Sequence, residues 1–207
     1  MEKEIARYFL DSFSSSNPLD CETFLDFLDR SVMEEMNELL FQEFSTEKMT
    51  TALAQLHPTN APSSDNIPPL FFQKYWHLEG KNVFDAVLSI LNSDFIHNEI
   101  NHTCIVLILE NKPPEKTTDV RPLSLCNVVY KLISKVIANR LKKVLAHIIS
   151  ENQSSFVPGR QITDNTLVAY EAVNSLKQKQ RGEKGIMSIE LDMSKAYDMV
   201  EWGFLKR

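Results

Sequence analysis

The segment that most constrains this chain is Val128 to Ile149, its strongest helical pattern. Val129, Leu132, Ile133, Val136, Ile137, Leu141, Val144, Leu145 and Ile148 recur at helical spacing and make an apolar stripe. Asn127 stands where an N-cap belongs, because its side-chain oxygen can accept a hydrogen bond from an unpaired N–H of the first turn. Most of the stability of such a helix comes from packing its stripe, so the segment supplies one wall of a core. Lys131, Lys135 and Lys142 fall within about 40° of one another around the helix. On spacing alone that basic line reads as a solvated face of the helix.

The flanks of this helix carry the candidate strands. Thr103 to Leu109 (TCIVLIL) is β-branched and apolar and reads as a strand. Glu110 to Asp119 is a loop leading to Arg121-Pro122. After the helix, Glu151 to Arg160 reads as a loop with a turn at Pro158-Gly159. Asp164 can cap a further helix from Asn165 to about Arg181, with Leu167, Val168, Val173 and Leu176 as its expected buried positions. Lys177, Lys179 and Arg181 suit the negative end of that helix dipole, and Gly182 suits its C-terminal turn. Ile186 to Met193 then reads as a short buried strand with Glu190 and Asp192 on one face. A carboxylate there is costly unless it is paired or holds a cation. Asp192 therefore stands either as the cap of the following turn or as a cation ligand.

Upstream the pattern is helical. Residues 1 to 45 read as one or two helices with a break at Asn17-Pro18, Asp20 as a candidate cap and a solvated acidic face. Thr46 can cap a helix carrying Met49, Ala52, Leu53 and Leu56 at i, i+3, i+4 and i+7, and His57-Pro58 stops it. Pro58 to Pro69 is a loop. Leu70 to Trp76 and Asn82 to Leu91 read as two short helices. The class is α+β, helical to about residue 100 and then strands with helices.

At 207 residues, 43% apolar and 24% charged, the chain has the composition of an ordinary globular protein. It shows no membrane-length apolar run and no signal-peptide pattern. Cys21, Cys104 and Cys126 are scattered and far from any His pair, which argues against zinc and against a disulfide framework. A net charge of −6 is unusual for a nucleic-acid partner. The imbalance, however, sits in residues 1 to 50, where twelve acids and four bases give −8, leaving +2 for the remainder. From Val120 to Ser150 there are six bases (Arg121, Lys131, Lys135, Arg140, Lys142 and Lys143) and no acid.

Several strings carry a resemblance. Asp192-Met-Ser-Lys-Ala-Tyr197-Asp198 resembles motif A of the reverse transcriptases of plant non-LTR (long interspersed element) retrotransposons. Arg121-Pro-Leu-Ser-Leu-Cys-Asn127 with Tyr130 to Leu141 resembles the family's fingers motif, and Gln153 to Arg160 with Thr163-Asp-Asn165 the next one. Pro58-Thr-Asn-Ala-Pro62 with Asp65 resembles the segment before the polymerase domain. The blocks follow family order over roughly residues 45 to 207.

The resemblance implies a helical region over residues 1–100, then over 101–207 the fingers and first palm strand of a truncated right-hand polymerase. It implies template-directed nucleotidyl transfer, with an RNA template, a DNA primer and deoxynucleoside triphosphates as partners, and a protein working in the nucleus or cytoplasm rather than on a membrane. The implied cofactor is Mg²⁺ or Mn²⁺, held by Asp192 and the Met193 carbonyl. Arg121 and Lys112 would meet the triphosphate, and Tyr197 would be the aromatic gate against a ribose 2′-hydroxyl. Lys131, Lys135, Lys142 and Arg160 would face nucleic acid. The sequence departs from the family at Glu110, where a Lys is usual, and at Glu190, where a Lys is common. The remaining metal-binding aspartates belong to a later Ala-Asp-Asp hairpin, so these 207 residues are expected to be inactive alone and to bind the metal poorly. The other readings are a non-catalytic nucleic-acid-binding remnant and an unstable pseudogene product.

Overall fold

The structure, a computed structural model, describes residues 2–16, 31–93, 95–109, 116–178, 187–191 and 200–205. In chain order the elements are α1 (Glu2–Ser12), α2 (Glu34–Phe41), α3 (Thr46–Ala54), α4 (Pro69–Leu91), α5 (Asn98–Asn101), β1 (Cys104–Leu109), β2 (Val120–Leu125), α6 (Val128–Ile148), α7 (Ile162–Gln178) and α8 (Trp202–Leu205). The described residues thus form helices and one two-stranded sheet. They divide into a unit over Val32–Ile148 and a second that joins Met1–Ser31 with Ile149–Arg207.

In the first unit α3, α4 and α6 pack on one another. Their shared core holds Met49, Ala52 and Leu53 from α3, Val83, Val87 and Ile90 from α4, and Val128, Leu132, Ile133 and Val136 from α6. Met49 and Val87 are fully buried, and burying a side chain of that kind stabilises by about 1.5–3 kcal/mol. The cap of α3 is Ser45, whose hydroxyl accepts from the Lys48 N–H, one residue before the expected Thr46. The helix ends at Ala54, and Gln73 Nε2 donates to the Leu53 and Leu56 carbonyls at 3.0 and 2.9 Å. One amide thereby ties α4 to the last turn of α3 and to the segment just past it.

The loop before α4 uses Asn66 at φ 55°, a left-handed turn position that asparagine tolerates. The two helices expected over 70–91 form one element, broken by a kink at Tyr75 (φ −105°, ψ 20°). Five residues after the kink, Gly80 lies under the Trp76 ring, where a Cβ would come within 2.9 Å.

Strands β1 and β2 pair antiparallel, with Leu107 opposite Pro122 and Ile108 opposite Arg121. Pro122 offers no N–H, and a two-stranded sheet tolerates that because both of its strands are edges. All six β1 residues are exposed.

In the second unit the Phe9 and Phe13 rings stack on α1 at 6.1 Å. Helix α7 starts at Ile162, three residues before the expected Asn165, so Asp164 lies in its first turn rather than at its cap. None of its described residues is buried. The predicted strand over 186–193 is corrected by the structure. Residues 187–191 belong to no strand, and Met187, Ile189 and Leu191 are exposed, Leu191 at 86%. β-branched residues make a strand only where another strand takes up their backbone hydrogen bonds. Among the described residues no strand pairs with these. The remaining residues of that prediction, 186, 192 and 193, lie outside the described ones.

Candidate functional site

The hairpin and α6 form the centre of the candidate site. Lys116 and Asp119 close the turn before β2, where the Lys116 N–H donates to Asp119 Oδ2 at 3.0 Å. Val120 is buried, and the alternation of the strand turns Arg121 outward. Two residues past β2, Asn127 joins three elements. Its Oδ1 accepts from the Tyr130 N–H at 2.8 Å, and its Nδ2 donates to the Ile100 carbonyl at 2.8 Å and the Glu99 carbonyl at 3.3 Å. The hairpin therefore opens onto a helix whose first turn is fixed, and Arg121 sits six residues before that fixed point.

The basic line of α6 is not uniform. Lys131 is half-buried, and its Nζ donates to the Ala61 carbonyl of the proline-rich loop at 2.7 Å. Lys135 is half-buried and Lys142 exposed. Lys131 thus ties the loop to the helix, while Lys142 extends into solvent.

The stripe of α6 also lies differently from its expected course. Ile137 and Leu141, anticipated as core positions, are about two-fifths exposed, whereas Val136 and Val144 are buried. Val136 and Val144 share one row with the half-buried Arg140, at i, i+4 and i+8. Arg140 fits that row because the Phe44 ring centroid lies 3.4 Å from its guanidinium carbon and its Nη1 donates to the Leu40 carbonyl at 2.7 Å. Its Nη2 is buried with no hydrogen-bond partner among the described residues. Burial pushes the Arg140 guanidinium below the usual arginine range. Its chemistry still leaves it charged at neutral pH.

In the loop after α6, Arg160 is turned onto backbone rather than outward. Its Nη1 donates to the Ser150 and Gln153 carbonyls and its Nη2 to the Ile149 carbonyl. Reaching a phosphate would require breaking these bonds. Ser154, buried, donates to Asn165 Oδ1 at 2.7 Å and ties the same loop to α7. Between these anchors Phe156 takes φ 65° and points into solvent, and Gly159 takes φ 81°.

Asp192, Met193, Tyr197, Lys112 and Glu110 lie outside the described residues. Glu190 is exposed. Among the described residues, no three His, Cys, Asp or Glu side chains gather as a metal site. No helix there is long and apolar enough to cross a membrane. Cys104 and Cys126 are free thiols, and Cys104 is exposed rather than buried.

The segment built from the end of the hairpin loop through β2, α6 and α7 is also what comparison with known proteins selects. Residues 111–207 match the reverse transcriptase (RNA-dependent DNA polymerase) family. The reverse transcriptase match takes in Arg121, Lys131, Lys135 and Lys142 of α6, Arg160 and the Asp192–Tyr197 string. A relative from Xenopus laevis, the transposon TX1 uncharacterized 149 kDa protein, is 29% identical over 210 residues, covering 98% of this chain. The chain spans 15% of that relative's length. Likeness to the relative thus continues upstream of the reverse transcriptase match, through the helical unit.

Proposed function

We propose that residues 101–207 supply the fingers and the start of the palm of an RNA-directed DNA polymerase of the non-LTR retrotransposon type, and residues 1–100 the helical region before them. The reverse transcriptase match over residues 111–207 carries this reading, and the transposon relative supports it over nearly the whole chain. The plant attribution rests on the quoted motifs. The partners are an RNA template, a DNA primer and deoxynucleoside triphosphates, and such work places the protein in the nucleus or cytoplasm.

In this reading Arg121 binds the triphosphate of the incoming nucleotide. Its planar fork offers several donors to phosphate oxygens. The paired hairpin and the Asn127 joint hold the backbone on either side of it. Lys112 adds positive charge nearby, and the bulk of Tyr197 excludes a 2′-hydroxyl. Lys135 and Lys142 meet a nucleic-acid backbone, with Lys131 and Arg160 holding the loops beside them. Asp192 and the Met193 carbonyl offer hard oxygen donors of the kind Mg²⁺ prefers. When bound, that cation neutralises charge on the transferring phosphate and orients it. The resemblance places one metal-binding aspartate within these 207 residues, so the polypeptide is expected to bind nucleotide without extending a primer.

The test is titration of the 207-residue protein with a fluorescent deoxynucleoside triphosphate and Mg²⁺. Arg121→Ala should weaken binding by at least about tenfold, the loss expected for one charge-assisted donor. Equal affinity in the variant removes Arg121 from the site. Salt-dependent oligonucleotide binding with no nucleotide binding favours a non-catalytic nucleic-acid module instead. Primer extension above background with Mg²⁺ or Mn²⁺ overturns the inactivity of the isolated polypeptide.

A further inference from the structure

The loop that leads into α7 holds one aromatic ring against the usual preferences of its type. Ser154 and Val157 are both buried. The Ser154 hydroxyl is bonded to Asn165, and the Val157 carbonyl accepts from the Arg160 N–H at 3.3 Å. The Arg160 guanidinium closes the other side of the loop on the Ile149, Ser150 and Gln153 carbonyls. Between these anchors Phe156 stands at φ 65° with 80% of its surface exposed.

A positive φ is an outlier for a bulky side chain and is unfavourable for any residue with a Cβ. An exposed Phe also forgoes the burial that aromatic rings ordinarily contribute. Such a conformation persists only where the surroundings impose it, and it gathers where proteins meet ligands. Here the buried residues on either side impose it, and the ring is held outward. The rim of the ring is polar, since Asn152, Gln153 and Gly159 are exposed. A protein-docking surface would instead present a contiguous apolar patch. The loop has one carboxylate, Glu151, and one cation, Arg160, so it offers a flat π-face and no net charge.

We propose that Phe156 is a stacking platform for an unpaired base of a single nucleic-acid strand, with Ser154 and Arg160 as the positioning residues that hold it out. Every base has a π-face, so a single ring accepts any of the four without hydrogen-bond readout. Because the loop has no net charge, the platform adds affinity through the base and leaves the phosphates to other residues. The inference rests on the reading of this chain as part of a polymerase, and it adds to that reading a contact with the bases themselves.

The test is binding of a fluorescein-labelled RNA decamer of adenosine to the 207-residue protein, beside the same decamer lacking its bases. Phe156→Gly removes the ring and leaves the loop its course, because glycine takes a positive φ freely. It should bind the base-bearing strand about tenfold more weakly than the parent, the loss of one stacked base. The base-free strand should bind parent and variant equally. The dependence of affinity on salt should keep its slope in Phe156→Gly, since a ring releases no counterions. Far-ultraviolet circular dichroism checks folding. Should the glycine variant unfold, Phe156→Trp in a Trp76→Phe, Trp202→Phe background decides, its fluorescence being quenched by the base-bearing strand and not by the base-free one. A deoxyadenosine decamer separates the sources of the base. Tighter binding of RNA assigns the platform to the template and tighter binding of DNA to the primer, and either supports it. Equal affinity of parent and Phe156→Gly for the base-bearing strand, an equal loss for both strands, or an unquenched tryptophan overturns it. If the parent binds neither strand, the platform and the polymerase reading fall together. If only the ring proves silent, strand binding by the parent leaves that reading in place.

Discussion

Replacing Asn127 separates the two tasks of one side chain. Asn127→Ala removes the cap of α6, worth about 1 kcal/mol. It also removes the amide donor from the Ile100 and Glu99 carbonyls, a further loss of about 1 kcal/mol. The expected cost is about 2 kcal/mol for the unit Val32–Ile148. Asn127→Ser keeps a capping oxygen but has no amide to reach back to Ile100, so it should recover about half. Urea unfolding followed by Trp76 fluorescence, in a Trp202→Phe background so that only the helical unit reports, measures both. With a urea dependence of about 2 kcal/mol per molar, the alanine variant should unfold at a urea concentration about 1 M lower. An alanine variant within about 0.5 kcal/mol of the parent, a change typical of an unimportant surface position, would refute the joint. A serine variant no better than alanine would refute the capping half of the argument alone.

Two further expectations follow from particular contacts. Gly80→Ala gains about 1 kcal/mol of helix propensity, yet its Cβ would meet the Trp76 ring at 2.9 Å, and overpacking of that kind costs about 1–3 kcal/mol. The net effect is expected to be a loss that Trp76→Phe relieves in the double variant, and a Gly80→Ala protein more stable than the parent would contradict it. In the second unit the Glu201 carboxylate accepts from the Ser15 and Ser16 hydroxyls, both at 2.6 Å, and from the Ser16 N–H at 3.0 Å. These bonds, that from Ser15 foremost, hold its carboxyl below the usual carboxylate range. Because the folded pKa is depressed, the contact is fully present above the ordinary glutamate pKa and is lost as pH falls through the lowered value. The Ser16 amide resonance should titrate in that acidic window and cease to do so in Glu201→Gln. A titration at the ordinary glutamate position would count against the contact.

Much of this fold was legible in the sequence where periodicity and caps agreed. The Asn127 cap, the extent of α6 and the β1 strand are of that kind, and the core positions of α3 follow directly from the spacing of Met49, Ala52 and Leu53. Arg140 was not legible as a half-buried residue in line with Val136 and Val144, because a charged side chain is assigned to solvent by type. Its spacing of four from both Val136 and Val144 was the available signal. Gln73 and Arg160 were missed as backbone anchors for a related reason, since their acceptors lie at a helix end and in loops, whose meeting with them no periodicity reports. The short apolar run near Met187 read as a strand by composition, yet a strand is a property of two segments, and a single sequence shows only one of them. Of the candidate site, Arg121 and the α6 lysines were legible as types and positions. That Lys131 is committed to Ala61 depends on a loop seventy residues away.

The α3–α4–α6 core also bears on how the protein is made. Helices α3 and α4 are complete by Leu91, but the residues that cover them, Leu132, Ile133 and Val136, come some forty positions later. At ordinary rates of synthesis, about 5–20 residues per second, the intervening chain takes several seconds to appear. During that interval Met49, Leu53 and Val87 face water or whatever chaperone is near the ribosome, and the unit closes only when α6 has emerged.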